Sequence, residues 1–294
     1  MAEERVGVFF ANGIGDAILT LPAVRHLIEY CDVRFIAAPA SNTFQTVFRE
    51  FGHLVEPFEK RPHELTAEFL LHYANQVDIL ILMITWTTPE IEKLINKKGS
   101  ETKIINFVDY IDFDKNYFHN YFNLARFVSK VNAPIVGRTG FPCQIDPTID
   151  DKILAFDKCP YVVHTETFPE KQFSAALWVG CLNYLAERLP TRIIAIVDKF
   201  EPFWLNETLP NVLWAGGDFD LSCLYVNRCA GFIGIDSCFL HLADLCLRPS
   251  IGLFRSTDVR RWGLALTSRK ANVELSSSED RDFLFEQLRE VFAI

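Results

Sequence analysis

Residues 231–254, GFIGIDSCFLHLADLCLRPSIGLF, narrow the possible folds of this chain more than any other stretch. An apolar run at 232–235 ends in Asp236-Ser237. Apolar residues then recur at helical spacing (Leu240, Leu242, Ala243, Leu247), Arg248-Pro249 breaks the pattern, and 251–254 is apolar again. Short apolar runs between polar breaks suit strands buried on both faces, and two of them joined by a helix form one unit of a parallel sheet. Open parallel sheets bind ligands beyond the carboxyl ends of their strands. Asp236, Ser237 and the helix start, with His241 three residues in, are therefore the first candidate site.

Similar alternation fills both halves of the chain. In the first, strands are expected at 5–11, 33–38, 53–56, 78–84 and 103–107, with helices near 17–30, 42–51, 64–75 and 89–97. Asn12-Gly13-Ile14-Gly15-Asp16 reads as a tight glycine loop, and Pro22 falls close enough to the following helix start to be tolerated. Residues 109–130 are rich in Phe and Tyr, which suits a core or the lining of an acceptor pocket. The pattern lapses over 132–160, where Pro134, Gly137, Gly140, Pro142 and Pro147 mark a linker. It resumes with strands at 161–164, 192–197 and 212–214, and a helix over 174–188. A helix over 221–229 is expected with Asp220 as its cap. After 231–254 come a strand near 271–275 and an amphipathic helix over 278–292 that packs back. The fold expected is α/β: two Rossmann-like parallel-sheet domains, 1–150 and 151–294, facing each other across a cleft.

Composition bounds the function. A net charge of −9 with no basic run longer than two residues (Lys97-Lys98, Arg260-Arg261) argues against a nucleic-acid face. Apolar stretches such as 79–84 are far too short to span a bilayer, and the acidic start MAEERVGVFF is no signal peptide. Eight cysteines show no CxxC and no regular framework, and most read as buried free thiols in a reducing cytoplasm.

Some familiar motifs fail on inspection. Gly13-Ile14-Gly15 lacks the third glycine of a dinucleotide fingerprint, Asp16 would repel a pyrophosphate there, and no acid ends the second strand. A P-loop is absent. The pairs Asp112-Asp114, Asp218-Asp220 and Asp280-Asp282 could hold a divalent cation, yet two of them precede helices, where Asp caps. Cys238 at a helix start near His241 could be an activated thiolate, but no third group is in place to orient it.

Three segments, taken together, carry a resemblance. GIGDAILTLPAVRHL (13–27) is similar to the opening of the bacterial heptosyltransferases, the ADP-heptose-using GT-B glycosyltransferases of family 9. Glu170-Lys171-Gln172-Phe173 with Trp178 resembles that family's K-x-W-P-x-x-x-W segment. Residues 235–241, followed by Arg248-Pro249, Thr257-Asp258 and Trp262, look like its D-T/S-G-x-x-H. The resemblance implies an inverting transferase that moves a heptose from an ADP-sugar to an acceptor hydroxyl. Asp16 would be the general base, with Gly13 and Gly15 on the acceptor side. Lys171 would face the diphosphate. Glu201, Asp236, Ser237, Cys238, His241 and Arg255 would hold the donor, Ser237 with the helix N–H groups gripping phosphate. On this reading Asp16 and the 236–241 tip occupy equivalent loops of the two domains. No metal or other cofactor is required, and the acceptor could be a saccharide, a lipid-linked sugar or a small metabolite. Cys238 and Arg255 stand where the family commonly has glycine. Alternatives are a non-catalytic nucleotide-sugar binder and a GT-B-type epimerase or phosphorylase.

Overall fold

The computed structural model describes residues 4–61, 64–95, 102–135, 159–205, 209–275 and 281–294. Lys97-Lys98, the linker over 136–158, Asp280 and the expected helix start at Ser278 lie outside the described residues. The chain divides into two compact units, Met1–Val136 and Gly137–Ile294.

The first unit contains β1 (Arg5–Phe9), α1 (Ile14–Tyr30), β2 (Asp32–Pro39), α2 (Asn42–Val47), β3 (Val55–Phe58), α3 (Ala67–Ala74), β4 (Ile79–Leu82), α4 (Pro89–Ile95), β5 (Lys103–Asn106) and α5 (Tyr117–Ser129). Its sheet runs β3-β2-β1-β4-β5, with every pair parallel. Counted from the unit's first strand the order is 3-2-1-4-5, so it reverses between β1 and β4. That reversal leaves a crevice at the strands' carboxyl ends.

The second unit contains β6 (Tyr161–His164), a 3-10 turn (Pro169–Lys171), α6 (Ala175–Arg188), β7 (Ile194–Ile196), β8 (Val212–Trp214), α7 (Phe219–Arg228), β9 (Gly231–Ile235), α8 (Cys238–Leu245), β10 (Ser250–Phe254), α9 (Val259–Trp262), β11 (Lys270–Glu274) and α10 (Arg281–Phe292). Its order, β11-β10-β9-β6-β7-β8, is again parallel throughout and amounts to 3-2-1-4-5-6, reversing between β6 and β9. The 231–254 stretch is thus β9-α8-β10. Every residue of β9 and β10 is buried, which is why they read as unbroken apolar runs rather than alternating ones.

Packing explains the remaining patterns. In the first unit Phe9 stacks on Phe58 at 5.2 Å, beside Tyr73 at 5.7 Å, in a core that includes Leu80, Leu82 and Ile91. In the second, α10 buries Leu284, Leu288, Val291 and Phe292 against its own unit's sheet and α6. Phe292 meets Tyr161 edge-on at 5.2 Å and fills the space over Gly231, where a Cβ would lie 2.6 Å from the ring.

Three local expectations are corrected. Helix α1 starts at Ile14, with Gly13 as its N-cap, so the glycine loop is shorter than expected and Asp16 stands in the first helical turn. Pro22 is consequently well inside the helix, and the Ile18 carbonyl forgoes the N–H that a non-proline residue would supply. Helix α7 is capped by Asp218, which accepts the Leu221 N–H at 2.8 Å, rather than by Asp220, which lies in the first turn.

Candidate functional site

At the first unit's crevice a neutral side chain ties the two strand ends together. Asn12, just after β1, donates to the Met83 carbonyl beyond β4 at 3.4 Å and accepts the Thr85 N–H at 3.2 Å. Its amide also donates to the Tyr121 hydroxyl at 3.3 Å, and that hydroxyl donates to Asp16 Oδ1 at 3.2 Å. Tyr121 on α5 is fully buried and stacks on Phe107 at 4.0 Å. Burial pushes its phenol well above the ordinary value, and the neighbouring Asp16 carboxylate adds to the shift. The phenol therefore stays protonated and holds Asp16 by a directed hydrogen bond. At Gly13 an added Cβ would meet nothing within 4 Å, so the backbone beside Asp16 borders open space. Within the aromatic segment Tyr117, Phe118, Tyr121 and Phe122 are core, whereas Tyr110, Phe113 and Phe127 reach solvent.

At the second unit's crevice the corresponding tie is charged. Lys171, at the end of the turn that follows β6, places Nζ 2.6 Å from Asp236 Oδ2 beyond β9. Thr167 donates its hydroxyl to the Asp236 carbonyl at 3.3 Å. Asp236 is 5% exposed, so burying its charge would be costly without the ammonium beside it. His241, on α8, lies 3.7 Å from Asp236 Oδ1, too far for a hydrogen bond, and faces Trp262 at 6.0 Å. Burial lowers its pKa to about 4; Asp236 opposes that shift and Lys171 adds to it, so the imidazole is neutral at pH 7. Ser237 is the N-cap residue of α8, yet its hydroxyl makes no capping bond, and its shielded oxygen has no hydrogen-bond partner. Burial pushes the Cys238 thiol up to about 12, which removes the thiolate reading.

Beside this tie lies a 460 Å³ pocket lined by Glu166, Phe173, Trp178, Asp198, Glu201 and Phe203, among others. Glu201, the loosest of the sequence-derived candidates, thus borders a real cavity. Phe203 in its wall is 94% exposed, an unusual position for a large apolar ring. Asp198 holds the pocket's floor. Its carboxylate accepts the N–H groups of Thr165 at 2.7 Å and Glu166 at 3.2 Å, accepts the Thr165 hydroxyl, and lies 2.9 Å from His164 Nδ1. Burial would raise its pKa, but His164 and Thr165 outweigh burial and hold it below the ordinary carboxylate value. Gly216 is required here, because a Cβ would lie 1.8 Å from the Asp198 carbonyl oxygen.

The structure therefore gathers Lys171, Asp236, Ser237, Cys238 and His241 at one crevice, with Glu201 on the adjoining pocket. Arg255, at the end of β10, donates to the Gln172 carbonyl at 2.7 Å beside that crevice. Asp16, Gly13 and Gly15 belong to the first unit. The expected equivalence of the Asp16 and Asp236 loops is corrected by the sheet orders: Asp16 follows its unit's first strand, Asp236 its unit's fourth. Sequence reading missed Asn12, Tyr121 and Asp198. Asn12 and Asp198 each directly follow an apolar strand, the position that points to a crevice; nothing local pointed to Tyr121. Two of the acidic pairs have ordinary roles, Asp112 accepting the Asp114 N–H and pairing with Lys115, Asp218 capping α7. Among the described residues no group of three or more His, Cys, Asp or Glu could hold a metal ion.

Comparison with known proteins bears on these features. Residues 223–288 match the model of glycosyltransferase family 9 (heptosyltransferase), a segment that contains Asp236, Ser237, His241 and Arg255. No curated protein matches the chain. Among solved structures, a family 9 glycosyl transferase from Veillonella parvula superposes with a TM-score of 0.67 at 16% identity, over 98% of this chain and 89% of that one. The ADP-heptose LPS heptosyltransferase II of E. coli gives 0.65 at 14% identity over 98% of each. E. coli heptosyltransferase WaaC, solved with ADP, gives 0.64 at 13% over 96% of this chain and 99% of that one. The two parallel-sheet units are those of the GT-B fold. In sequence over residues 223–288, and in fold along nearly its whole length, the chain resembles the heptosyltransferases of glycosyltransferase family 9.

Proposed function

We propose that this protein is an inverting glycosyltransferase that moves a heptose or similar sugar from an ADP-sugar to an acceptor hydroxyl. The observation that carries the reading is the crevice at the end of β9. An ammonium (Lys171), a hydroxyl with no hydrogen-bond partner (Ser237) and the first N–H groups of α8 adjoin one another there, inside or next to the segment that matches family 9. Such a set favours an anion, and most of all the diphosphate that gains charge as it departs. E. coli WaaC was solved with ADP and with ADP-2-deoxy-2-fluoro heptose, which supports the donor class.

In the proposed reaction the acceptor oxygen forms a bond to the anomeric carbon while the bond from that carbon to the diphosphate oxygen breaks. A single displacement inverts the configuration. Asp16 takes the acceptor's proton, oriented by the Tyr121 hydroxyl; the diphosphate leaves as an anion held by Lys171, Ser237 and the start of α8. Asp236, itself an anion, serves by anchoring Lys171 rather than by touching the donor. His241, neutral, offers one N–H to the departing group. Cys238 contributes its backbone N–H and a protonated thiol. Glu201 receives ribose hydroxyls, and the aromatic lining of the adjoining pocket takes the base. The acceptor, a saccharide, lipid-linked sugar or small metabolite, approaches at Gly13 and Gly15. Seven of the cysteines are free thiols and none of the described helices is long and apolar enough to cross a membrane, in keeping with work in the cytoplasm.

Incubation with ADP-heptose, other ADP-sugars and UDP-sugars, with and without candidate acceptors, tests this proposal by nucleotide release. ADP release that depends on an acceptor is the expected result. Binding without release under every condition would make the chain a nucleotide-sugar binder. Donor conversion with no acceptor would make it an epimerase or phosphorylase.

A further inference from the structure

The turn that carries Lys171 is poorly secured by packing. It spans Pro169–Lys171, none of its residues is buried, and its own backbone bonds are local: Lys171 N–H to the Phe168 carbonyl at 2.9 Å and Gln172 N–H to the Pro169 carbonyl at 3.3 Å. The Lys171 ammonium is tied to Asp236 at 2.6 Å and the Gln172 amide to the Thr167 carbonyl at 2.9 Å, but these are side-chain bonds and leave the 170–172 carbonyls to other donors. A segment without buried apolar contacts takes its position from polar ties and opens easily when they go. Two such ties arrive from the far end of β10. Arg255 Nη1 donates to the Gln172 carbonyl at 2.7 Å, and the Ser256 hydroxyl donates to the Glu170 carbonyl at 3.3 Å. They grip the backbone on both sides of Lys171, across 83 and 86 residues of sequence. A guanidinium bonding a carbonyl is a charge-assisted donor, stronger than a neutral one, and a glycine at position 255 would provide none.

We propose that Arg255, assisted by Ser256, is a positioning residue: it clamps the 170–172 backbone so that Lys171 meets the donor diphosphate. This assignment rests on the donor reading given above. It places Arg255's effect on the lysine turn and not on the sugar nucleotide itself. The position that departs from the family pattern thereby becomes a support that this chain adds to its own phosphate site.

Two measurements test the clamp. The first is amide hydrogen exchange over 168–173 in the full chain, with no nucleotide present. Arg255→Ala is expected to speed exchange there while the global melting temperature stays unchanged, and Arg255→Lys, which keeps a donor, to restore much of the protection. Unchanged exchange in Arg255→Ala overturns the proposal, whether or not the protein binds nucleotide. The second is calorimetric titration with ADP in a double-mutant cycle. Loss of one such tie is expected to weaken ADP binding about five- to tenfold in Arg255→Ala, and to have less than about a twofold effect once Lys171→Ala is already present. Full additivity of the two losses would mean that Arg255 acts directly on the donor, and overturns the clamp. Absence of any ADP binding by the unaltered protein would strike the donor reading, while the exchange measurement still decides whether Arg255 holds the turn.

Discussion

The two units solve one structural problem in different ways. In each, the first and fourth strands part at a crevice, and a side chain from just beyond the first strand bridges to the residues beyond the fourth. In the first unit the bridge is Asn12, an uncharged amide bonded to backbone at 83 and 85. In the second it is Lys171, paired with the Asp236 carboxylate. The residues around the bridges differ accordingly. Asp16 sits in the first turn of α1 and receives a phenol hydroxyl, which orients the carboxylate without neutralising it. Asp236 precedes the cap of α8 and receives an ammonium, which offsets its charge beside a helix start and the Ser237 hydroxyl. The same topology thus offers a place suited to taking a proton and a place suited to holding an anion. That division is what a transferase needs: a base for the incoming hydroxyl and cations or N–H groups for the outgoing phosphate.

The comparison can be broken from the first unit's side through Tyr121. If its hydroxyl orients Asp16, Tyr121→Phe should lower turnover by about tenfold, in line with loss of one directed hydrogen bond, while ADP affinity stays within about twofold. Steady-state kinetics beside calorimetry separate the two. An unchanged kcat would leave Tyr121 as a core residue only.

A smaller effect sharpens the second unit's side. His241 has a folded pKa of about 4, below the ordinary 6.5, because burial disfavours its charge. Between those values the unfolded chain takes up a proton that the folded chain refuses, so stability falls as pH drops from about 6.5 toward 4. His26 in the first unit is shifted the same way, first by burial and then by Arg126, so the first unit contributes to the same decline. His241→Asn should flatten only the second unit's share. The urea midpoint measured from pH 7 to pH 4.5 would show a shallower decline in the variant. Identical slopes would contradict the burial argument.

Much of this was legible in the sequence for identifiable reasons. Buried parallel strands announce themselves as apolar runs, so 161–164, 212–214 and 231–235 were found at or near their bounds. Candidates that adjoin such strands, Asp236 and Ser237, fell at the crevice because topology puts them there. What failed was finer. The sequence does not mark the start of α1, because Gly13, without a side-chain cap, gives no capping signal, and Asp16 therefore reads as part of a loop. Asp218 and Asp220 both fit the capping pattern, and only geometry shows which oxygen reaches the Leu221 N–H. Tyr121 lies 105 residues from Asp16, and a tyrosine in an aromatic-rich helix looks like core, which its ring is. Arg255 could be seen to depart from the family pattern, but the carbonyl it holds is 83 residues away. Contacts of that kind are set by the fold and leave no local trace.

The division of labour between the two units is tested most directly by Asp16→Asn, an isosteric change that removes the base and keeps the side chain's shape. We expect ADP binding by calorimetry to remain within about twofold of the unaltered protein, while acceptor-dependent ADP release falls by about a hundredfold or more. Retention of full turnover, or loss of ADP affinity in parallel with turnover, would contradict the assignment of the proton to one unit and the phosphate to the other.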